Sequence, residues 1–119
     1  MSNLAKQECQ ACQVGATPLA GAELTQALQE LPDWELQSNP QKSNPQPMLV
    51  RHYAFKDFTA ALRFANTIGT LADKHNHHPR IMIEWGKLTV QWWTHKINNV
   101  HLTDAILAAK TDELFSSHE

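Results

Sequence analysis

The chain reads as an α+β domain, a four-stranded antiparallel sheet with three helices packed on one face in the order α-β-β-α-β-β-α. Three observations carry that reading. One long segment, from residue 58 to about 74, repeats its apolar residues at helical spacing. Two apolar runs around Gly86-Lys87 alternate as hairpin strands do. Nothing in the order of elements resembles a parallel βαβ unit, so the strands are expected to pair antiparallel.

Residues 1–17 show no periodicity and are expected to form a flexible arm preceding a single domain over 18–119. From Pro18 to Leu31, the spacing of Leu19, Leu24, Ala27, Leu28 and Leu31 predicts a short amphipathic helix stopped by Pro32. Trp34 to Gln37 reads as a brief strand. The run 38–47 holds three prolines and reads as a loop, because proline cannot donate to a ladder. Met48 to Phe55 alternates as the strand that pairs back across it. Asp57 is placed to cap the long helix, whose buried face is Phe58, Ala61, Phe64, Ala65, Ile68, Leu71 and Ala72. A last helix is predicted from Asp104 to about Phe115, with Thr103 as its cap.

With Gly86-Lys87 as a two-residue turn, Trp85 faces Leu88, Ile83 faces Val90 and Ile81 faces Trp92. All six are apolar and share one face, as a core face requires. Trp85 and Trp92 are therefore expected in the core. On the other face Arg80 is expected opposite Trp93, and His78 opposite His95.

With 42% hydrophobic and 18% charged residues and a net charge of −2, the composition is that of a globular domain and gives no electrostatic ground for nucleic-acid binding. No apolar run approaches the roughly 20 residues that span a bilayer. Met1 to Gln10 has neither a basic start nor an apolar core, so the expected location is the cytoplasm. Cys9 and Cys12 form one C-x-x-C, too few thiolates for a tetrahedral zinc, and read as reduced cysteines of the arm.

The chemistry concentrates in Asp73-Lys74-His75-Asn76-His77-His78-Pro79 together with His95. Four of the seven histidines lie in this window. Imidazole gives and takes protons near neutral pH, so the cluster points to proton transfer or to a metal. Three histidines in four residues could ligate zinc, copper or nickel. Adjacent side chains diverge, however, and the i, i+4 spacing of H-E-x-x-H is absent. Asp73 stands at the end of the long helix, where the helix dipole disfavours a carboxylate and a nearby cation would compensate. His52, His101 and His118 read as surface or helix-ending residues, and Trp93 as a residue flanking a ligand or an interface.

The series Asp73, His77-His78-Pro79, Trp85, His95 and Asp104 closely resembles the signature of the pterin-4a-carbinolamine dehydratase family. Pro32-Asp33-Trp34, Glu84-Trp85-Gly86-Lys87 and the N-terminal C-x-x-C resemble its bacterial branch, which accompanies phenylalanine hydroxylase. One departure is the shorter Asp at 73, where Glu is common. The resemblance implies a homodimer or homotetramer with no metal and no cofactor. It further implies dehydration of 4a-hydroxytetrahydrobiopterin, the product of an aromatic amino-acid hydroxylase. His77 and His78 would be the acid–base pair and His95 would complete the site. Asp73 and Asp104 would orient or charge-stabilise an imidazole. Pro79 and the backbone of Thr94, His95, Lys96 and Ile97 would border the pterin alongside His77 and His78. Two other readings of the same chain are a dimerisation or coactivator-type interaction protein and a histidine metal-binding module.

Overall fold

The computed structural model describes residues 18–38, 47–95 and 99–118. Its elements run α1 (Gly21–Gln29), β1 (Glu35–Ser38), β2 (Pro47–Ala54), α2 (Phe58–His75), β3 (Arg80–Glu84), β4 (Lys87–Trp92) and α3 (Leu102–His118). The strands form one antiparallel sheet in the spatial order β1-β2-β4-β3. The predicted α-β-β-α-β-β-α order is the observed one. The expected arm, with Cys9 and Cys12, lies outside the described residues.

Alternation along the strands sorts the side chains between two faces. Leu49, Tyr53, Leu88, Val90 and Trp92 point toward the helices and meet Phe64 and Ile68 of α2 and Ile106 and Leu107 of α3 in one buried core. Each such side chain, fully withdrawn from water, contributes about 1.5–3 kcal/mol. Met48, Val50 and Trp93 make a second, smaller buried cluster on the opposite face.

The long helix starts and stops as its sequence demands. Asp57, with extended backbone, accepts the Ala60 N–H on its carboxylate at 2.8 Å. At the far end Asn76 takes the left-handed conformation, φ 50 and ψ 42, which asparagine tolerates better than most residues. The Asn76 N–H then donates to Asp73 O and the His77 N–H to Ala72 O, the paired bonds of a Schellman termination.

The β3–β4 hairpin corrects the predicted register. Ile83 pairs with Leu88, Ile81 with Val90 and Arg80 with Gln91, a slip of two residues. The turn is Trp85-Gly86, so glycine occupies its second position and not its first. Gly86 adopts φ 75, and its carbonyl accepts the Phe55 N–H at 2.9 Å. A Cβ at this position would lie 3.2 Å from the Phe55 oxygen. Because the slip is even, Ile81 and Ile83 keep their face. Trp85, expected in the core, is instead carried into the turn and stands 68% exposed.

α3 is fixed near both ends by carboxylates. Near its C-terminal end Asp112 receives the Trp34 indole N–H at 3.0 Å, the Tyr53 hydroxyl at 2.6 Å and the Arg51 guanidinium at 2.5 Å. Burial first, then the Asp112 charge and hydrogen bond, push the Tyr53 phenol far above its usual range, so it remains a donor. The start differs from the prediction. The helix begins at Leu102, and its cap is His101 in place of Thr103. Thr103 N–H donates to His101 Nδ1 at 3.0 Å, while His101 N–H donates to Asp104 Oδ2 at 2.9 Å. This is a reciprocal capping box with histidine in the usual serine place. Burial, its largest influence, and secondarily the neighbouring His77 hold the His101 imidazole below 6.5, with Asp104 opposing them.

Two predictions follow from these ends. Asp112→Ala strips one ion pair and leaves the Trp34 and Tyr53 donors unpaired. It should lower unfolding free energy by about 2–3 kcal/mol, read as a shifted urea midpoint with unchanged slope at fixed protein concentration. His101 is neutral in the folded chain at pH values where the unfolded chain already protonates it. Stability from this residue is therefore complete above about 6.5 and falls as pH drops through that value toward the lower folded one. His101→Asn, which keeps a capping acceptor without titrating, should lose less stability than the parent on acidification through that window.

Candidate active site

The two adjacent histidines leave the end of α2 in opposite directions. The Schellman termination turns the chain so that the His77 ring enters the protein, where the residue is only 7% exposed. It lies parallel to the Trp92 ring, with centroids 5.9 Å apart and planes 7° apart. Its Nε2 is 2.7 Å from Asp104 Oδ1. Asp104 is itself fully buried (0% exposed). Its other oxygen, Oδ2, accepts the Thr94 hydroxyl at 2.6 Å and the His101 N–H at 2.9 Å. Three donors from three segments thus converge on one buried carboxylate. A carboxylate only accepts, so the proton of the neutral imidazole sits on Nε2 and Nδ1 is the nitrogen left for a substrate.

His78 points outward. Its Nε2 is 2.9 Å from Asp73 Oδ1, and the two side chains are 57% and 82% exposed. Such a solvated pair contributes little to stability, about 0–1 kcal/mol. Asp73 does stand in the last turn of α2, with Lys74 beside it as a positive charge. Exposure and the reach of His78 across the helix end account for a carboxylate in that position.

His95 also departs from expectation. The ladder of the hairpin ends with the pair Arg80 and Gln91, so His78 and His95 are not a cross-strand pair. Both lie just beyond the same end of the sheet, and among the described residues no hydrogen bond joins His95 to His77 or His78. The exposed His95 ring rests on Trp93 instead, with centroids 4.5 Å apart and planes 37° apart. The Arg80 guanidinium, expected to face Trp93 as a strand partner, lies 5.2 Å from the centroid of its ring. Trp93 is buried, and among the described residues its indole N–H has no hydrogen-bond partner.

Pro79 is half-buried and leads from His78 into β3. Thr94 is buried and starts the turn after β4, where its backbone bridges to Asn99. Lys96 and Ile97 lie outside the described residues. His52 hydrogen-bonds Thr89 through Nδ1 at 2.9 Å in the middle of the open face, away from the sheet end. His75 is half-buried, and burial, then Lys110 and Lys74, hold its imidazole below the ordinary range. Among the described residues no group of three or more His, Cys, Asp or Glu side chains is arranged to hold a metal ion.

Three contributors to this site escaped the sequence reading. Trp92 was placed in the core, but its ring is also the surface against which His77 lies. Thr94 was read for its backbone, whereas its hydroxyl holds Asp104. His101 reads in sequence as a surface or helix-ending residue. The spacing His101-x-x-Asp104 carried a capping-box signal that only an unusual cap residue obscured.

The site contains two imidazole–carboxylate pairs, one buried and one solvated, beside a third imidazole at the same sheet end. Such a set can give and accept protons without further groups. The family model for pterin 4 alpha carbinolamine dehydratase matches residues 17–114. A Chlorobaculum tepidum protein provisionally named pterin-4-alpha-carbinolamine dehydratase is 45% identical over 114 residues, 96% of this chain and 99% of that one. A Marinobacter nauticus protein with the same provisional name is 44% identical over 115 residues, 97% and 100% of the two chains. Among solved structures, the transcriptional coactivator/pterin dehydratase from Brucella melitensis superposes with a TM-score of 0.68 at 28% identity, covering 82% of this chain and 98% of that one. A pterin dehydratase-like protein identified as a RuBisCO assembly factor in the alpha-carboxysome shares the fold, with a TM-score of 0.54 at 20% identity over 69% and 88% of the chains. The chain belongs to the pterin 4 alpha carbinolamine dehydratase family.

Proposed function

We propose that the protein dehydrates 4a-hydroxytetrahydrobiopterin, or a close pterin relative, to the quinonoid dihydropterin by histidine acid–base catalysis. The observation that carries this reading is the buried His77–Asp104 contact beside the exposed His78–Asp73 contact. Family membership supplies the substrate class. In the reaction the C4a–O bond breaks, the departing hydroxyl gains a proton and leaves as water, and N5 loses its proton. The nitrogen electrons form the C4a=N5 double bond. One imidazole acts as acid toward the hydroxyl and another as base toward N5. Positioned proton transfer of this kind contributes about 10²–10⁴-fold.

His77 and His78 form the acid–base pair. His77, held by Asp104 through Nε2, works as the base through its Nδ1 lone pair. His78 is open to solvent and meets the substrate from outside, with Asp73 orienting it. His95 completes the site, and Pro79 with the 94–97 backbone borders the pterin. The substrate arrives from an aromatic amino-acid hydroxylase, and the protein works as a homo-oligomer in the cytoplasm. Among the described residues no helix is long and apolar enough to cross a membrane. A second reading, an interaction protein on the same fold, is favoured by the coactivator name of the Brucella melitensis relative. It predicts a stable hetero-complex that survives purification.

The two histidines should respond differently to truncation. His78→Ala should remove most of the acceleration of 4a-carbinolamine decay, followed by absorbance, and leave the unfolding free energy from urea titration within about 0.5 kcal/mol of the parent. A decay rate equal to the parent's would sink the assignment. His77→Ala should lose the acceleration and also about 1–3 kcal/mol of stability, because buried Asp104 Oδ1 then lacks its donor.

A further inference from the structure

We infer that Thr94 is a positioning residue for His77, acting through Asp104; the inference rests on the dehydratase reading of this site. The Thr94 hydroxyl and the Asp104 carboxylate are both buried, and 2.6 Å separates Thr94 Oγ1 from Asp104 Oδ2. That is the length of a charge-assisted O–H···O⁻ bond, a contact roughly twice as strong as its neutral counterpart. With the His101 N–H on the same oxygen, Oδ2 has two fixed donors, and among the described residues the donor facing Oδ1 is His77. The carboxylate therefore cannot turn about its Cβ–Cγ bond without breaking two hydrogen bonds in a site closed to water.

The consequence is carried to the histidine. A carboxylate fixed with Oδ1 toward Nε2 holds His77 in the Nε2–H form, and the parallel Trp92 ring restrains the imidazole plane. The Nδ1 lone pair is then always the one offered to substrate. Without the hydroxyl, Oδ2 keeps the His101 N–H but loses its shorter bond, so the carboxylate is held less firmly and the Nδ1–H tautomer becomes accessible. That form presents a proton where the base should be, so the working fraction of enzyme falls.

Thr94 also forms a backbone bridge to Asn99. Its N–H donates to Asn99 O at 2.9 Å, and Asn99 N–H returns to Thr94 O at 3.4 Å. These are backbone bonds, so a side-chain substitution separates the hydroxyl's role from that of the bridge. Thr94→Val keeps the shape and the bridge while deleting the donor. Thr94→Ser keeps the donor while deleting a methyl group.

The test uses the full-length protein. Ring ¹⁵N–¹H spectra of the parent should show His77 protonated at Nε2, and the Val variant should show both tautomers. With 4a-carbinolamine as substrate, the Val variant should lose about tenfold or more in kcat with KM within twofold, and the Ser variant should restore both the rate and the Nε2–H spectrum. A Val variant whose His77 stays wholly Nε2-protonated overturns the inference whatever its rate, as does a Ser variant as impaired as Val. If Val prevents folding, Thr94→Cys, a weak donor of similar size, replaces it: impairment relative to Ser supports the inference and equality overturns it. A parent protein that leaves carbinolamine decay unaccelerated refutes the dehydratase reading, while the nitrogen spectra still decide the role of Thr94.

Discussion

A single buried carboxylate organises this end of the molecule. Withdrawing Asp104 from water would cost several kcal/mol if it were left bare. Three donors from three separate segments offset that cost: His77 after α2, Thr94 after β4 and His101 before α3. Bonds to a charged group contribute about 1.5–3 kcal/mol each, so none of the three segments can move away cheaply. The same contacts that begin the last helix hold the candidate base. Fold and site are one arrangement here, and a change at residue 104 would be felt in both.

The molecule uses the device twice. Two turns further along α3, Asp112 gathers Arg51, Tyr53 and Trp34 from β2 and the segment before β1. One carboxylate ties the helix to the far strands and the other ties it to the reactive sheet end. Tyr53, kept protonated by burial and by Asp112, serves the first as a permanent donor. This double attachment gives α3 a fixed position along the sheet, and with it a fixed position for Asp104.

Between the two histidines the contrast is one of solvation. Buried His77 has one nitrogen committed and its plane restrained, which suits a group whose protonation site must be constant. His78, paired with Asp73 in water, is free to meet a substrate from outside. Proteins that share this fold carry names as different as pterin dehydratase, transcriptional coactivator and RuBisCO assembly factor. The scaffold alone does not select among such roles, so the functional reading rests on the side chains at the sheet end.

Local pattern determined a great deal from sequence alone. Helical spacing from Phe58 to Ala72 marked α2, Asp57 declared its cap, and alternation sorted the strand residues by face. The His77-His78-Pro79 series with Asp73, His95 and Asp104 identified the family. Those signals are legible because they depend on neighbours a few residues apart. Alternation has a period of two, however, and cannot distinguish a register from one displaced by two residues. Only the Gly86 turn, bonded to Phe55, decided that Trp85 is exposed and that His78 does not face His95 in a ladder. The tertiary structure likewise decided which histidine goes inward and what Asp104 holds. Its partners His77 and Thr94 lie 27 and 10 residues away in the chain, and packing, not spacing, brings them into contact.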